Sequence, residues 1–199
     1  MYNVLIDGFP SAYTVGDKEY KIRSSYKIGV LLSELMADPD IDEDIKMYIA
    51  IETLYIDKPE DIITALNGIR WFLSCGKSEI YIQGEDKEEQ TDDVIDYTFD
   101  QLDIWAAFRV HNITLDDSLH YWQFVSLLPC LVDTPLNQKM QYRGVDLKTL
   151  KGDTKKFYSD QKKKYKIKPI LTREEYEEQL KELEQQRGSY YMKLRAINN

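Results

Sequence analysis

The sequence predicts a mainly α-helical protein: a helical domain with a small N-terminal β-hairpin and a C-terminal amphipathic helix. Apolar residues recur at helical spacing through most of the chain, the first 23 residues show the shorter period of strands, and a heptad repeat marks the C-terminus. The chain has 199 residues, of which 43% are hydrophobic and 31% are charged. A chain of this size and composition can form a core without disulfides or a structural metal.

Strands are predicted only before residue 24. Ala12–Val15 and residues 18–23 flank Gly16-Asp17. This pair suits a two-residue hairpin turn, because glycine readily adopts the positive φ that such turns require. The preceding apolar run, residues 2–6, is also expected to be extended.

Helical spacing predicts eight helices after the hairpin. The first is capped by Ser24 or Ser25 and ends before Pro39. The third begins at Pro59 and stops at Cys75-Gly76. The others cover residues 41–55, 99–110, 118–131, 137–142, 148–165 and 172–199. The apolar face of the second helix is marked by Ile45, Tyr48 and Ile49.

Apolar residues of these helices are assigned to the core. Four aromatic residues are placed there, namely Trp105, Phe108, Trp122 and Phe124. The third helix is expected to bury Ile62, Ile63, Leu66, Ile69, Trp71 and Phe72. The two cysteines, Cys75 and Cys130, lie in apolar sequence contexts and are interpreted as small buried hydrophobic residues.

The sequence contains no pattern that is typical of an enzyme, a cofactor site or a metal site. The acidic residues 38–44 resemble a calcium loop, but they lack the glycine and the glutamate that an EF-hand needs at positions 6 and 12. His111 and His120 have no zinc-ligand partner three or four residues away, and His120 is interpreted as a hydrogen-bonded histidine at the core edge. Phosphate-binding loops and nucleophile motifs are absent from the sequence. We therefore expect a protein that is not an enzyme and that has no cofactor and no metal.

Charge divides the chain into three predicted segments. Residues 1–147, with a net charge of −15, form an acidic helical domain that includes the hairpin. Residues 148–171 form a lysine-rich linker or helix, and residues 172–199 form the C-terminal amphipathic helix. Three interpretations of the lysine-rich segment stay open. It is a solvated linker or helix face, it folds back on the acidic domain, or it binds an acidic partner. Nucleic acid is a weaker alternative, because this segment has no arginine to read bases.

Export and membrane insertion are not expected. The N-terminal residues MYNVLIDGFPSAY contain neither a basic region nor a long apolar run. No stretch of the chain approaches the 18 consecutive apolar residues of a membrane span. The sequence therefore predicts a cytoplasmic protein without membrane contact.

The last helix carries an apolar seam. Thr172 and Glu175 form a predicted capping box at its start. The apolar residues that follow alternate in spacing between four and three, as in a heptad series, although Arg187 interrupts it. The seam either binds a helix of a partner or of a second copy, or it docks on its own domain. The predicted partner-binding residues are Tyr176, Leu180, Leu183, Tyr190, Leu194 and Ile197.

Residues 96–147 resemble a known family. The stretches DIWAAF at 103–108, HNITL at 111–115, LHYWQFVSLL at 119–128 and KMQYR at 139–143 follow one another as they do in that family. The basic stretch that ends in KKY at 163–165 is also similar. The family is the bacteriophage protein family named after gene product fifteen.

This resemblance implies a phage or prophage tail assembly chaperone in the cytoplasm of the bacterial host. Such a protein is not an enzyme, and it binds apolar helices of a tape measure protein or a tail tube protein during virion morphogenesis. One alternative is a structural adaptor that stays in the phage particle, and another is a nucleic-acid-binding protein that uses the lysine-rich segment. Self-association into a homo-oligomer also stays open.

Overall fold

The computed structural model describes residues 3–77, 94–168, 171–178 and 180–182. The described part is mainly helical, and a two-stranded antiparallel hairpin lies near its N-terminus, which confirms the predicted fold class. The elements in chain order are α1 (Val4–Asp7), β1 (Ala12–Val15), β2 (Lys18–Lys21), α2 (Tyr26–Ala37), α3 (Glu43–Leu54), α4 (Ile62–Leu73), α5 (Gln101–Val110), α6 (Tyr121–Leu127), a 3₁₀ turn (Leu128–Cys130), α7 (Pro135–Gly144) and α8 (Gly152–Lys164).

The hairpin forms with the predicted turn. Tyr13 lies opposite Tyr20, and Gly16 has a φ of 59°, which is the left-handed conformation that favours glycine. The Tyr13 ring packs 5.2 Å from the ring of Trp71, so the hairpin is anchored on α4. These contacts explain how only two strands are stable here, since an isolated hairpin is marginal in water.

The prediction of an extended run at residues 2–6 is wrong where the structure describes it, because Val4, Leu5 and Ile6 belong to the short helix α1, and Tyr2 lies outside the described residues. Asn3 caps the helix: its side chain accepts a hydrogen bond from the amide of Leu5 at 3.0 Å. The Asp7 carboxylate in turn accepts one from the amide of Asn3 at 2.9 Å. Local side-chain bonds of this kind compete with strand formation. The burial of Val4, Leu5 and Ile6 plays no part, since all three are exposed.

Helix α4 starts later than the sequence predicts, and a capping residue sets its start. This helix begins at Ile62 and not at Pro59, because the Asp61 carboxylate accepts bonds from the amide and the hydroxyl of Thr64 at 2.8 and 2.7 Å. Ile62 and Ile63 lie in the first turn of α4 and are exposed, so their predicted burial is wrong; the core contacts of this helix begin at Ala65. The predicted stop is confirmed, since Cys75 and Gly76 both adopt positive φ.

The core lies where α2 contacts α3, α4 and α6. Phe108, Trp122 and Phe124 are buried there as predicted. Trp105 is not: its side chain is exposed, because α5 turns Ile104, Ala107 and Phe108 inward. Of the two cysteines, Cys75 is half-buried, and burial raises the pKa of its thiol to about 11. Cys130 is exposed in the 3₁₀ turn, so its predicted burial is wrong.

The later segments pack in sequence order. Helix α7 contacts both α5 and α8. The Tyr142 ring of α7 stacks on Tyr165 at 5.6 Å and meets Tyr158 edge-on at 6.0 Å, so the lysine-rich helix α8 rests on α7 through aromatic residues. Among the described residues, no helix is long and apolar enough to cross a bilayer.

Helices α2 and α6 approach closely at Gly29. A Cβ atom at this position would lie 1.9 Å from the ring of the buried Tyr121. We therefore expect Gly29→Ala to lower the free energy of unfolding by about 1–3 kcal/mol through overpacking, although alanine otherwise stabilises a helix by about 1 kcal/mol. Urea denaturation measures the change. The cost should shrink in the Gly29→Ala, Tyr121→Leu double variant, and equal costs in both backgrounds would refute the clash.

Candidate protein-binding surface

Helix α5 is apolar on two opposite sides. Ile104, Ala107 and Phe108 face the core. On the other side, Leu102 is 78% exposed, Trp105 56% and Val110 67%, and Ala106 is exposed between them. The exposed Arg109 lies on the same side, one turn after Trp105. A surface helix ordinarily has mainly polar residues opposite its core face, so three large exposed apolar residues there are unusual. We call Leu102, Trp105, Ala106 and Val110 the α5 outer surface.

One half-buried and one buried ion pair hold this helix in place. Asp103 on α5 forms an ion pair with Lys139 on α7. Asp100 precedes the first turn, and its carboxylate accepts hydrogen bonds at 2.5 and 2.9 Å from the guanidinium of the buried Arg143. Because both pairs join α5 to α7, the outer surface is presented on a fixed support rather than on a loop.

Two further apolar side chains flank the helix. Phe99 precedes α5 and is exposed, with the Arg143 guanidinium 5.8 Å from its ring centre. Val132 is also exposed, and its carbonyl oxygen lies 2.9 Å from the Nε2 atom of His111, which directly follows α5. The exposed apolar area therefore continues past both ends of the helix.

The inner side of α5 rests on α6. The Phe108 ring stacks on the Phe124 ring with a centroid distance of 5.3 Å. The position of α6 is set by His120, whose Nδ1 accepts a hydrogen bond from the Trp122 amide at 3.0 Å. The Nε2 atom of His120 donates to the Pro10 carbonyl oxygen at 2.9 Å. These two bonds require neutral His120, and they confirm the predicted hydrogen-bonded histidine.

The stability of this support should depend on pH through His120. Burial lowers the pKa of His120, because the charged form is poorly solvated. Protonation would also place a proton on Nδ1, where the Trp122 amide already donates. The folded protein therefore binds this proton less tightly than the unfolded chain. Its contribution is complete above about pH 6.5, the ordinary histidine pKa, and is lost as the pH falls from there towards the lower folded value.

The measurement is the urea midpoint at about pH 7.5 and about pH 5.5. We expect a lower midpoint at the acidic pH for the wild type. The matched control is His120→Asn, since asparagine can still cap α6 but does not titrate in this range. A wild-type pH dependence that persists undiminished in His120→Asn would contradict the assignment.

The predicted partner-binding residues are only partly within the described chain. Tyr176 and Leu180 lie in a helical stretch, residues 173–178 and 180–182, and both are exposed. The predicted capping box is present, with the Thr172 and Glu175 side chains bonded to each other's amides at 3.2 and 2.9 Å. The other predicted residues lie outside the described residues: Leu183, Tyr190, Leu194 and Ile197.

The described residues contain no group of side chains that could hold a metal ion. Within residues 3–77, 94–168, 171–178 and 180–182, no three histidine, cysteine or acidic side chains are grouped as metal ligands would be. The acidic residues 38–44, which resemble a calcium loop in sequence, lie in the turn between α2 and α3 and in the first turn of α3.

Comparison with known proteins assigns the family. The sequence model of the family described as bacteriophage Gp15 protein matches residues 5–167. The chain belongs to the bacteriophage Gp15 protein family. This Gp15 chain is thus a phage protein, and the match includes all of α5 and its outer surface. The match ends before Tyr176, the first residue of the C-terminal seam. No curated protein and no solved structure matches the chain significantly.

Sequence reasoning missed the α5 outer surface in this Gp15 protein. It identified Trp105 from its aromatic character but assigned it to the core. A usable signal was present, because seven of the nine residues from Leu102 to Val110 are apolar and they surround the whole helix. A helix of this composition has more apolar surface than one core contact can bury.

Proposed function

We propose that this phage protein is a tail assembly chaperone that binds apolar helices of a tape measure protein or a tail tube protein and performs no catalysis. The observation that supports it best is the α5 outer surface, where Leu102, Trp105 and Val110 are more than half exposed on a rigidly held helix. Exposed apolar stripes of this kind are typical of sites that receive an amphipathic helix.

The energetics favour reversible binding. Full burial of one large apolar side chain contributes about 1.5–3 kcal/mol, whereas association costs about 4 kcal/mol or more. The three large residues of the α5 outer surface therefore give a modest net affinity on their own. The C-terminal seam begins with Tyr176 and Leu180 and is a second apolar stripe on the same chain. Two linked binding sites hold a partner more tightly than either site alone.

Charge supports the same role. Residues 1–147 carry a net charge of −15, so loaded chains repel one another. A tape measure protein is long and rich in helices, and its apolar stripes would associate before the tail tube encloses them. A bound acidic chaperone would cover these stripes and oppose aggregation, and it would leave when the tube subunits compete for the same surfaces.

Co-expression tests this proposal. The chain is produced together with the tape measure protein or the tail tube protein of its own phage, and affinity purification of the chain is followed by mass spectrometry. We expect at least one of the two proteins to co-purify and to become more soluble. If neither does, the proposal is wrong.

The adaptor alternative makes a different prediction for the particle. A chaperone that acts only during assembly is absent from purified virions, whereas an adaptor is present in fixed copy number. Mass spectrometry of virions separates the two. Nucleic-acid binding by the lysine-rich helix α8 is a further alternative. A titration with duplex DNA at low salt tests it, because contacts between lysines and DNA phosphates are strongest at low salt.

A further inference from the structure

Helix α3 also presents an apolar stripe to solvent. Ile45 is 50% exposed, Tyr48 66% and Ile49 36%, and their spacing of three and four places them on one side of the helix. The inward positions are Lys46, Ala50 and Leu54. Ala50, Leu54 and the half-buried Ile51 form the core side of α3 together with Lys46. The helix is therefore apolar on its core side and again on the side where Ile45, Tyr48 and Ile49 face water. We call Ile45, Tyr48 and Ile49 the α3 outer surface.

Lys46 explains this orientation. Its side chain is buried, and its ammonium group pairs with Glu43 at 2.9 Å and donates to the Met36 carbonyl oxygen at 3.3 Å. Met36 lies in the last turn of α2, where the helix dipole favours a positive charge. A buried ammonium group is costly unless it is paired. The bond of Lys46 to the Met36 carbonyl oxygen, together with the buried Ala50 and Leu54, holds this side of α3 against the protein. The stripe on the other side stays exposed as a consequence.

The surroundings of the α3 outer surface are strongly acidic. Residues 38–61 contain nine carboxylates but only two lysines. Of these lysines, Lys46 is buried and Lys58 is paired with Glu52 at 2.5 Å. Most of these carboxylates lie before the stripe, in the turn between α2 and α3 and the first turn of α3, or after it, between α3 and α4; Glu52 lies within α3. Those that are exposed at the two ends include Asp40, Asp42, Glu43, Asp44, Asp57, Glu60 and Asp61.

One contact shows that this edge of the protein receives the positive end of a helix. The amide of Arg173, at the first turn of the C-terminal helical stretch, donates to both carboxylate oxygens of Asp40 at 3.1 and 3.3 Å. A helix N-terminus carries a partial positive charge. The acidic turn before α3 therefore already accepts hydrogen bonds from the partially positive N-terminus of one helical stretch.

We propose that the α3 outer surface is a second docking site, and that its partner is a basic amphipathic helix. Such a helix has apolar residues at three- and four-residue spacing, which would pack on Ile45, Tyr48 and Ile49, and lysines or arginines towards its ends, which would face the carboxylates. This site is independent of the proposed function, because α3 packs on α2 and α4 whereas the α5 outer surface is carried by α5 and α7.

The test uses a defined probe with the full chain. A labelled leucine–lysine peptide of about 18 residues, or five helical turns, is titrated with the protein by fluorescence anisotropy. A second peptide has glutamate in place of every lysine. We expect the basic peptide to bind at least about tenfold more tightly than the acidic one and to lose affinity as salt rises. Equal binding of the two peptides would overturn the proposal.

Two matched variants locate the binding. Ile45→Asn removes an apolar side chain from the α3 outer surface without changing its charge, and it should weaken binding of the basic peptide about tenfold. Leu31→Asn alters a similarly exposed leucine on α2 and should leave the affinity unchanged. Both side chains are about half exposed, so both variants should fold, and circular dichroism verifies this.

Unchanged binding by Ile45→Asn contradicts the proposal. A second copy would be the occupant, and the proposal would be wrong, if the chain self-associates, if Ile45→Asn abolishes this self-association, and if the basic peptide does not compete with it.

Discussion

Replacing Arg143 by alanine is expected to lower the free energy of unfolding by about 3–5 kcal/mol, because it leaves the buried carboxylate of Asp100 without its counter-charge. Arg143 and Asp100 are 2% and 0% exposed, so solvent cannot replace the lost bonds. The guanidinium also donates to the carbonyl oxygen of Tyr165 at 2.6 Å and to that of Val94 at 3.1 Å. One side chain thus joins α5, α7 and the end of the lysine-rich helix.

Urea denaturation followed by tryptophan fluorescence measures the loss. The informative control removes both charges: Arg143→Met combined with Asp100→Leu should be markedly more stable than Arg143→Ala, because no unpaired buried charge remains. If the single and double variants lose the same stability, the cost comes from packing and not from charge. A loss below about 1 kcal/mol in Arg143→Ala would contradict the role of this ion pair.

Replacing Trp122 by alanine is expected to cost about 3–5 kcal/mol, the range for removing a large aromatic side chain from a packed core. The indole is 5% exposed, and its Nε1 atom donates to the Phe72 carbonyl oxygen at 2.8 Å. It meets the ring of Trp71 edge-on at 4.9 Å. The neighbouring Gly76 also leaves it room, since a Cβ atom there would lie 2.7 Å from the indole.

Two variants separate the contributions of Trp122. Trp122→Phe keeps most of the apolar volume but removes the indole N–H bond to the Phe72 carbonyl oxygen, which costs about 0.5–1.5 kcal/mol because this oxygen still accepts a bond from the Cys75 amide at 3.2 Å. Trp122→Ala adds the cavity to this cost. The free energy of unfolding from urea curves should therefore fall in the order wild type, Trp122→Phe, Trp122→Ala. An alanine variant as stable as the phenylalanine variant would contradict the packed position of the indole.

Periodicity and capping residues predicted most of the fold. The hairpin turn at Gly16-Asp17 depends on local backbone preferences, and so do the capping box at Thr172 and the stop at Cys75-Gly76. Such features are readable from a few adjacent residues. The same local chemistry, when overlooked, produced the errors at residues 2–6 and at Pro59. There, side-chain caps from Asn3 and Asp61 set the helix starts.

The candidate surfaces were harder to predict, because burial depends on what a helix packs against. In α5, both sides are apolar, and the sequence alone does not show that Phe108 rather than Trp105 meets the core. In α3, the core side is formed by Ala50 and Leu54 together with Lys46, which bonds to the Met36 carbonyl oxygen of α2, and Ile45 and Ile49 are left exposed. Both cases involve more apolar surface than one small core covers, which is the condition for a protein-binding face.

The solubility of the tape measure protein in the presence of matched variants tests the central claim most directly. The tape measure protein is co-expressed with the wild-type chain, with the Leu102→Glu, Trp105→Glu double variant, or with Leu31→Glu, whose side chain is similarly exposed on α2. We predict that the wild type and Leu31→Glu keep the tape measure protein in the supernatant and that the double variant, although folded, does not. A folded double variant that keeps it as soluble as the wild type does would contradict the assignment of α5 as the helix-binding surface.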